Sequence, residues 1–451
     1  MRRTLRCMTL GVLLIPSSAA PKESDGSSSL PGLVKDRTGV ALPWSADVAE
    51  VAATKDTVRL LLRGDLTEEG AVRAALLNNR RLQAAFQEVG ISRADYRQAL
   101  LPRNPTLGGE IRFDGERRPG ELAVMQDFTS ILLAPLRRQA AGAAHERANL
   151  IAAEAALEVV LETRSAFYGA QGAEQIRRFW EQSVASARAA ADLALRQHEA
   201  GNVSSLEIES RQALYERARI ELSRSQVETL AARERLNRAM GAWGDLTIWG
   251  ISDDLPEIPA DTVAVAGLES MAISRRLDLA AAEAEVRSVS RTMSLARFSQ
   301  FPELRAGVHF EREPEGTRST GPAVELAFPL FDRGQHAVAR ARAEVRQAQD
   351  RRAALAVEIR SEVRTARDRL RAAHELAAYY RDVVLPRRAR IVEQTQLEYN
   401  FMLAGVYQLL QAKQDEFNAR QEHLEARRDY WIARAELEHA LGGAFAAGVT
   451  K

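Results

Sequence analysis

The stretch NPTLGGEIRF, Asn104–Phe113, decides the fold once it is laid over FPELRAGVHF, Phe301–Phe310, 197 residues further on. A proline, a leucine and a phenylalanine agree in place, and the apolar residues Leu107, Ile111 and Phe113 fall two or four apart, a strand period. The same shift, without a gap, lays LQAAFQEV at Leu82 over LAAAEAEV at Leu279. Later, ETRSAFYGA at Glu162 resembles EIRSEVRTA at Glu358, and AARERLNRAMG at Ala231 resembles IARAELEHALG at Ile432. A repeat of about 200 residues is a duplicated domain and not a solenoid, whose periods run from about 20 to 50 residues.

Each copy reads as helix, strand hairpin, long helix, return helix. In DLTEEGAVRAALLNNRRLQAAF, Asp65 or Thr67 can cap a helix whose first turn carries Glu68 and Glu69 against the positive end of its dipole. Pro102 and Pro105 end that helix near Leu101. After the strand comes a polar loop, DGERRPGE, and a second alternating run, LAVMQDFTSILL. The helical pattern returns at Arg138 for about 60 residues, roughly 90 Å, until Gly201 and Asn202 interrupt it. A return helix follows from Val203 to Met240, with Leu206, Ala213, Ile220 and Val227 seven apart.

The second copy carries a longer seam. Val338, Ala341, Val345, Ala348, Leu355 and Ile359 keep three-four spacing, and Val363, Ala366, Leu370, Ala373, Ala377, Tyr380 and Val384 resume it after one four-residue slip that should relax a supercoil. Pro386 should kink or break this helix. On the return helix, Leu410, Phe417, Leu424 and Trp431 form a narrow stripe. Helices with such stripes cannot enclose a globular core, so they must lie side by side. Two hairpins give four strands with open edges, which persist only if other subunits close them; three subunits supply twelve strands and twelve long helices.

Composition agrees with long helices. Of 451 residues, 27% are charged and only 6% aromatic. The expected boundaries are a signal peptide at 1–20, an extended N-terminal arm at 21–64, the first repeat at 65–241, a linker at 242–264, the second repeat at 265–443 and a tail at 444–451. The leader has a basic start (Arg2, Arg3, Arg6), a short apolar run and small residues near Ala19 and Ala20. Its Cys7 is the single cysteine and stands too early for an acylation site, so no lipid anchor and no disulfide are expected. Removal of the leader leaves 59 basic residues against 61 acidic, a balance that gives no reason to expect nucleic acid. No stretch reaches the roughly 20 apolar residues of a spanning helix.

Taken together, LTEEGAVRAALLNNRRLQAA, VELAFPLFDRGQHAVARARAE and YNFMLAGVYQLLQAKQDEFNARQEHLEARRDYWIARAELEHALGG make the chain resemble the TolC family of outer-membrane efflux channels from about Leu66 to Gly443. The resemblance implies a mainly α fold with a small β part: a homotrimer whose twelve-stranded barrel, four strands per chain, crosses the outer membrane above an α-helical tunnel in the periplasm. It implies a periplasmic adaptor and a proton-driven inner-membrane pump as partners, outer-membrane lipid around the barrel, and export of drugs, metal ions or proteins. The tip version YNFMLAGVYQLLQAKQ looks most like channels of heavy-metal efflux.

The turns Gly201, Asn202, Val203, Ser204 and Ala404, Gly405, Val406, Tyr407 are the candidate adaptor-docking tips, with Gly405 suited to a left-handed turn. Family members often carry an acidic ring just past the second tip. Here those positions hold Gln408 and Gln411, so Glu207 of the first copy is the candidate ring at the aperture. FPLFDRGQ reads as punctuation between strand and helix. The seven histidines show no metal-ligand spacing, and there is no phosphate loop or nucleophile elbow, so no catalytic residue, metal or cofactor is expected. Competing readings are a type I protein-secretion outlet, which shares the architecture, and a secreted coiled-coil scaffold, which has no use for a duplicated hairpin.

Overall fold

The computed structural model describes residues 30–40, 48–113, 120–251, 254–260, 267–298, 300–313 and 315–444. The expected leader with Cys7, much of the arm, residues 114–119 of the first hairpin loop and the tail from 445 lie outside the described residues. The first repeat comprises α3 (Glu68–Asn78), α4 (Arg80–Leu100), β1 (Thr106–Ile111), β2 (Gly120–Asp127), α5 (Phe128–Leu132), α6 (Ala134–Glu199) and α7 (Ser205–Met240). The second comprises α8 (Leu268–Arg275), α9 (Leu277–Phe298), β3 (Glu303–Arg312), β4 (Arg318–Ala327), α10 (Gln335–Tyr379), α11 (Leu385–Asn400) and α12 (Val406–Ala440).

The arm is not extended where it is described. It forms α1 (Leu30–Thr38) and α2 (Val48–Leu61). Leu30 and Val34, one turn apart, are buried, as are Val58 and Leu62. Tertiary docking of these i, i+4 pairs overrides the loop-like Ser, Gly and Pro composition. The end of the second repeat meets α1, the Ala444 N–H donating to the Arg37 carbonyl at 2.8 Å.

The expected opening helix is two helices. Thr67 caps α3 by accepting from the Gly70 N–H, and Asp65 takes no part in the cap. At Asn79 the backbone turns extended (φ −65°, ψ 115°), and its side-chain oxygen accepts from the N–H groups of Arg81 and Leu82. The same side chain donates to the Ala239 carbonyl near the end of α7. In the second repeat the break falls 197 residues later, at Arg276, whose guanidinium bonds Asp278 and Glu362.

Both long arms are uncommonly alike in length. Ala134 and Gln335 open them, Glu199 and Asn400 close them, 201 positions apart at either end. The 196-residue shift that aligns Glu162 with Glu358 is therefore not the structural register. At 66 residues, α6 spans about 99 Å. The second arm is interrupted between α10 and α11 by a π turn, Tyr380–Val384. Pro386 cannot donate to the carbonyl four residues back, and the widened turn accommodates it, so the helix is neither broken nor ended there.

The two hairpins join into one antiparallel sheet, ordered β1-β2-β3-β4, through the pairing of β2 with β3. The second alternating run stops at Asp127, because that side chain accepts from the Ser130 N–H and starts α5 where strand was expected. Register fixes the faces. Leu107, Leu122, Val124, Leu304, Val308, Phe310, Val324 and Leu326 share one face; Glu110, Glu121, Glu303, Arg305, His309, Glu311 and Glu325 share the other. Among the described residues, β1 and β4 each keep one unpaired edge.

The seam of α10 is buried at Val338, Ala341, Ile359, Val363, Leu370 and Ala377. The heptad stripe of α7 is not: Leu206, Ile220 and Val227 face outward, and the chain is met instead by Ala218, Ala232 and Leu236. On α12 the expected stripe is only half-buried. Leu409, Ala419, Tyr430 and Leu437 are buried on a second side, because this helix packs against both α6 and the second arm. Tyr168 on α6 stacks on Trp431 of α12 with ring centroids 5.5 Å apart, joining the two repeats.

Candidate functional site

At their far ends from the sheet, the arms turn by one backbone device. The Gly201 N–H donates to the His198 carbonyl and the Asn202 N–H to that of Gln197, closing the last turn of α6 with Gly201 at φ 78°. In the second tip, the Met402 N–H donates to the Tyr399 carbonyl and the Leu403 N–H to that of Glu398, with Met402 at φ 61°. The left-handed residue is thus Met402, while Gly405 is extended (φ −82°) and caps α12. Gly405 was expected to supply the left-handed turn; the bonds to the Tyr399 and Glu398 carbonyls fix that position three residues earlier.

The caps also correspond. Ser204 accepts from the Glu207 N–H, and the Gly405 N–H donates to the Gln408 side chain at 2.9 Å. Gln408 is therefore the positional counterpart of Glu207 and is engaged in capping. Gln411 donates to Asp415, whose other oxygen accepts from Arg388 at 2.9 Å.

The surfaces differ. Gly201, Asn202 and Ser204 are exposed and small or polar, with Val203 half-buried. In the second tip Ala404 and Val406 are half-buried, Gly405 and Tyr407 exposed. Phe401, Met402 and Leu403 are exposed as well, Met402 at 94%. These three lie in the charge-free run Tyr399–Gln411, which marks this docking turn in the sequence, one to three residues before the named tip residues Ala404–Tyr407.

Glu207, in the first turn of the return helix α7, binds across to the second arm. The Tyr399 hydroxyl donates to its carboxylate, Arg211 stands 3.5 Å from the same oxygen, and the Arg211 guanidinium lies 5.8 Å from the Tyr399 ring centroid. Burial, reinforced by the bond to Glu207, raises the Tyr399 pKa and keeps the donor protonated. With its side chain only 13% exposed, Glu207 is a paired group in this arrangement and not a free ring charge.

A second polar cluster lies where the repeats meet. Glu154 on α6 approaches His439 on α12 at 3.8 Å, beside Arg276, Asp278 and Glu362. Burial, with the charge of Asp278 adding to it, pushes Glu154 up to about 7. Burial and then Arg276 push His439 down. Among the described residues no group of three or more His, Cys, Asp or Glu is placed to hold a metal ion, and no helix is long and apolar enough to cross a membrane.

Residues 268–443 match the family described as outer membrane efflux protein. The cation efflux system protein CusC of Escherichia coli (strain K12) is 26% identical over 308 residues, which cover 61% of this chain and 64% of that protein. The match therefore spans less than two thirds of the relative's length. Among solved structures, a membrane protein from Pseudomonas aeruginosa superposes with a TM-score of 0.72 at 21% identity, covering 90% of this chain and 98% of that one. A structure of CusC gives 0.69 at 19% identity, covering 86% and 92%. The chain thus carries a match to that family over residues 268–443 of its second repeat, and both repeats share the fold of the CusC structure.

Proposed function

We propose that the chain is the outer-membrane exit duct of a tripartite efflux system, passing substrate from an inner-membrane pump and a periplasmic adaptor to the exterior. The two-faced sheet carries this reading. A four-stranded sheet with one apolar face, one charged face and two open edges suits a barrel wall between lipid and an aqueous lumen. Three copies give twelve strands, and the outward Leu206, Ile220 and Val227 stripe of α7 offers each copy a seam for its neighbour.

The tips Gly201–Ser204 and Ala404–Tyr407, with Phe401, Met402 and Leu403 added, are the surface for the adaptor: small and polar in the first tip, apolar in the second, each held by its cap. Glu207, Tyr399 and Arg211 act as a latch between the return helix α7 and the second arm at the aperture. The name of the CusC relative supports cations as the cargo.

Cells test it. Deleting the gene is expected to raise sensitivity to transition-metal cations, and the wild-type chain to restore tolerance. Gly405→Glu, at a position with open space around it, should assemble and yet fail to restore it. Unchanged tolerance in the deletion strain contradicts the cargo; full rescue by Gly405→Glu contradicts the tip.

A further inference from the structure

The left-handed place is held by Gly201 in the first tip and by Met402 in the second. Glycine enters that region at no steric cost, whereas a side chain there sets its Cβ against the following carbonyl. The same pair of backbone bonds closes both turns, so glycine would serve the second turn as well as the first. Strain of this kind collects at functional sites. The side chain it carries here is 94% exposed.

What a thioether offers that another apolar side chain does not is reactivity, and Met402 stands apart from the other methionines on that count. Among the described residues Met240 is fully buried, Met125, Met271 and Met293 are half-buried, and the Met271 sulfur is met by the Arg275 guanidinium at 3.7 Å. No cysteine occurs among the described residues to react first. Met402 is therefore the most accessible oxidisable sulfur of the described chain. It lies in an apolar setting: Phe401 and Leu403 flank it, Tyr407 follows in the first turn of α12, and all three are exposed.

We propose that Met402 is a redox-sensitive contact of the second tip: hydrogen peroxide converts its thioether to the sulfoxide, and the sulfoxide releases the apolar partner surface docked there. The inference rests on the reading of the tips as the adaptor surface. In the step, a sulfur lone pair attacks one peroxide oxygen, the S–O bond forms as the O–O bond breaks, and the departing hydroxide takes the remaining proton and leaves as water. Sulfur gives up two electrons and peroxide takes them. Docking would then strip water from a strongly accepting oxygen without supplying a donor, which is costly. Gly201–Ser204 contains no sulfur and is already polar, so oxidation acts on one tip of the pair. Methionine sulfoxide reductases reverse the change, which makes it a switch.

Two measurements on the full chain test it. In the purified protein treated with hydrogen peroxide, peptide mass spectrometry should find sulfoxide forming at Met402 about tenfold faster than at Met125, Met271 or Met293. Equal rates, or a slower rate at Met402, refute the site whatever the tip binds. In cells, a benzoylphenylalanine photocrosslinker in place of Tyr407 reports what is docked. It is read beside the native Met402, beside Met402→Leu, which stays apolar and forms no sulfoxide, and beside Met402→Gln, which carries a polar oxygen from the start. The native chain and Met402→Leu should give the same adduct with a periplasmic adaptor, and Met402→Gln about tenfold less. After peroxide the native adduct should fall to the Met402→Gln level while that of Met402→Leu holds. Loss in both, retention in both, or a Met402→Gln adduct as strong as the native one refutes the switch and leaves the adaptor surface standing. No adaptor adduct from any chain before peroxide overturns the docking reading, and the inference with it.

Discussion

Gly201 and Met402 hold the same place in two tips. Each stands two residues past its arm, takes a left-handed φ (78° and 61°) and is closed by the same pair of backbone bonds. Only the first is glycine. Around them the surfaces diverge, small and polar in one tip, Phe401, Met402, Leu403 and Tyr407 in the other. The arms diverge likewise, α6 unbroken and its counterpart relieved by a π turn. So do the upper breaks, a neutral Asn79 against a charged Arg276. Duplication kept the backbone, and the side chains moved charge and apolar surface into the second copy.

The breaks offer the largest contrast. Arg276→Ala removes the partner of Asp278 and Glu362 in a buried site, at an expected cost of about 3 kcal/mol. Asn79→Ala loses a cap and leaves the Ala239 carbonyl unpaired, about 1–2 kcal/mol. Denaturant unfolding of both variants ranks them, and equal losses would dissolve the distinction.

Charge at the second break should also make stability depend on pH. Glu154 titrates at about 7 in the fold against 4.5 when free, so its contribution is full below pH 4.5 and is lost as pH rises through 7. His439 is lowered from 6.5, so its contribution is present above that value and lost as pH falls. Glu154→Gln should therefore stabilise at pH 8 relative to pH 5 by about 2 kcal/mol, whereas His439→Gln flattens the acid side. Unfolding midpoints across pH read both slopes.

The latch comes next. Tyr399→Phe or Glu207→Gln removes one charge-assisted hydrogen bond between α7 and the second arm, about 1–1.5 kcal/mol, which raises the open fraction up to about tenfold. Block by multivalent cations separates this role from a free acidic ring: Glu207→Gln should open the channel while leaving block unchanged.

The smallest effects are opposite in sign at the two turns. Gly201→Ala should destabilise its tip by about 1 kcal/mol. Met402→Gly should relieve strain by roughly 0.5–1 kcal/mol, less the entropy glycine adds to the unfolded chain. Local amide exchange at Asn202 and Leu403 measures each, and shifts of the same sign would contradict the equivalence of the tips.

Much of the architecture is written in the chain. The 197-residue shift locates both hairpins, and three-four spacing marks the α10 seam residue by residue. What escapes sequence is contact between distant segments. Glu207 and Tyr399 are 192 residues apart, and neither residue alone signals a latch. The pairing of β2 with β3 follows from how the repeats pack, not from a turn between those strands. The break at Asn79 left a signal, the Asn-Asn pair within an apolar helix, but helical propensity on both sides conceals it. Met402 took a conformation that sequence reasoning assigns to glycine, because the bonds to Glu398 and Tyr399 hold it there.

The measurement closest to the central claim is conductance across a planar lipid bilayer by the purified protein, wild type beside Tyr399→Phe. An exit duct closed by a latch predicts discrete ionic steps from both, with the variant open more often by up to about tenfold. Absence of steps from either chain, with the protein recovered from solution and not from the bilayer, would contradict the account.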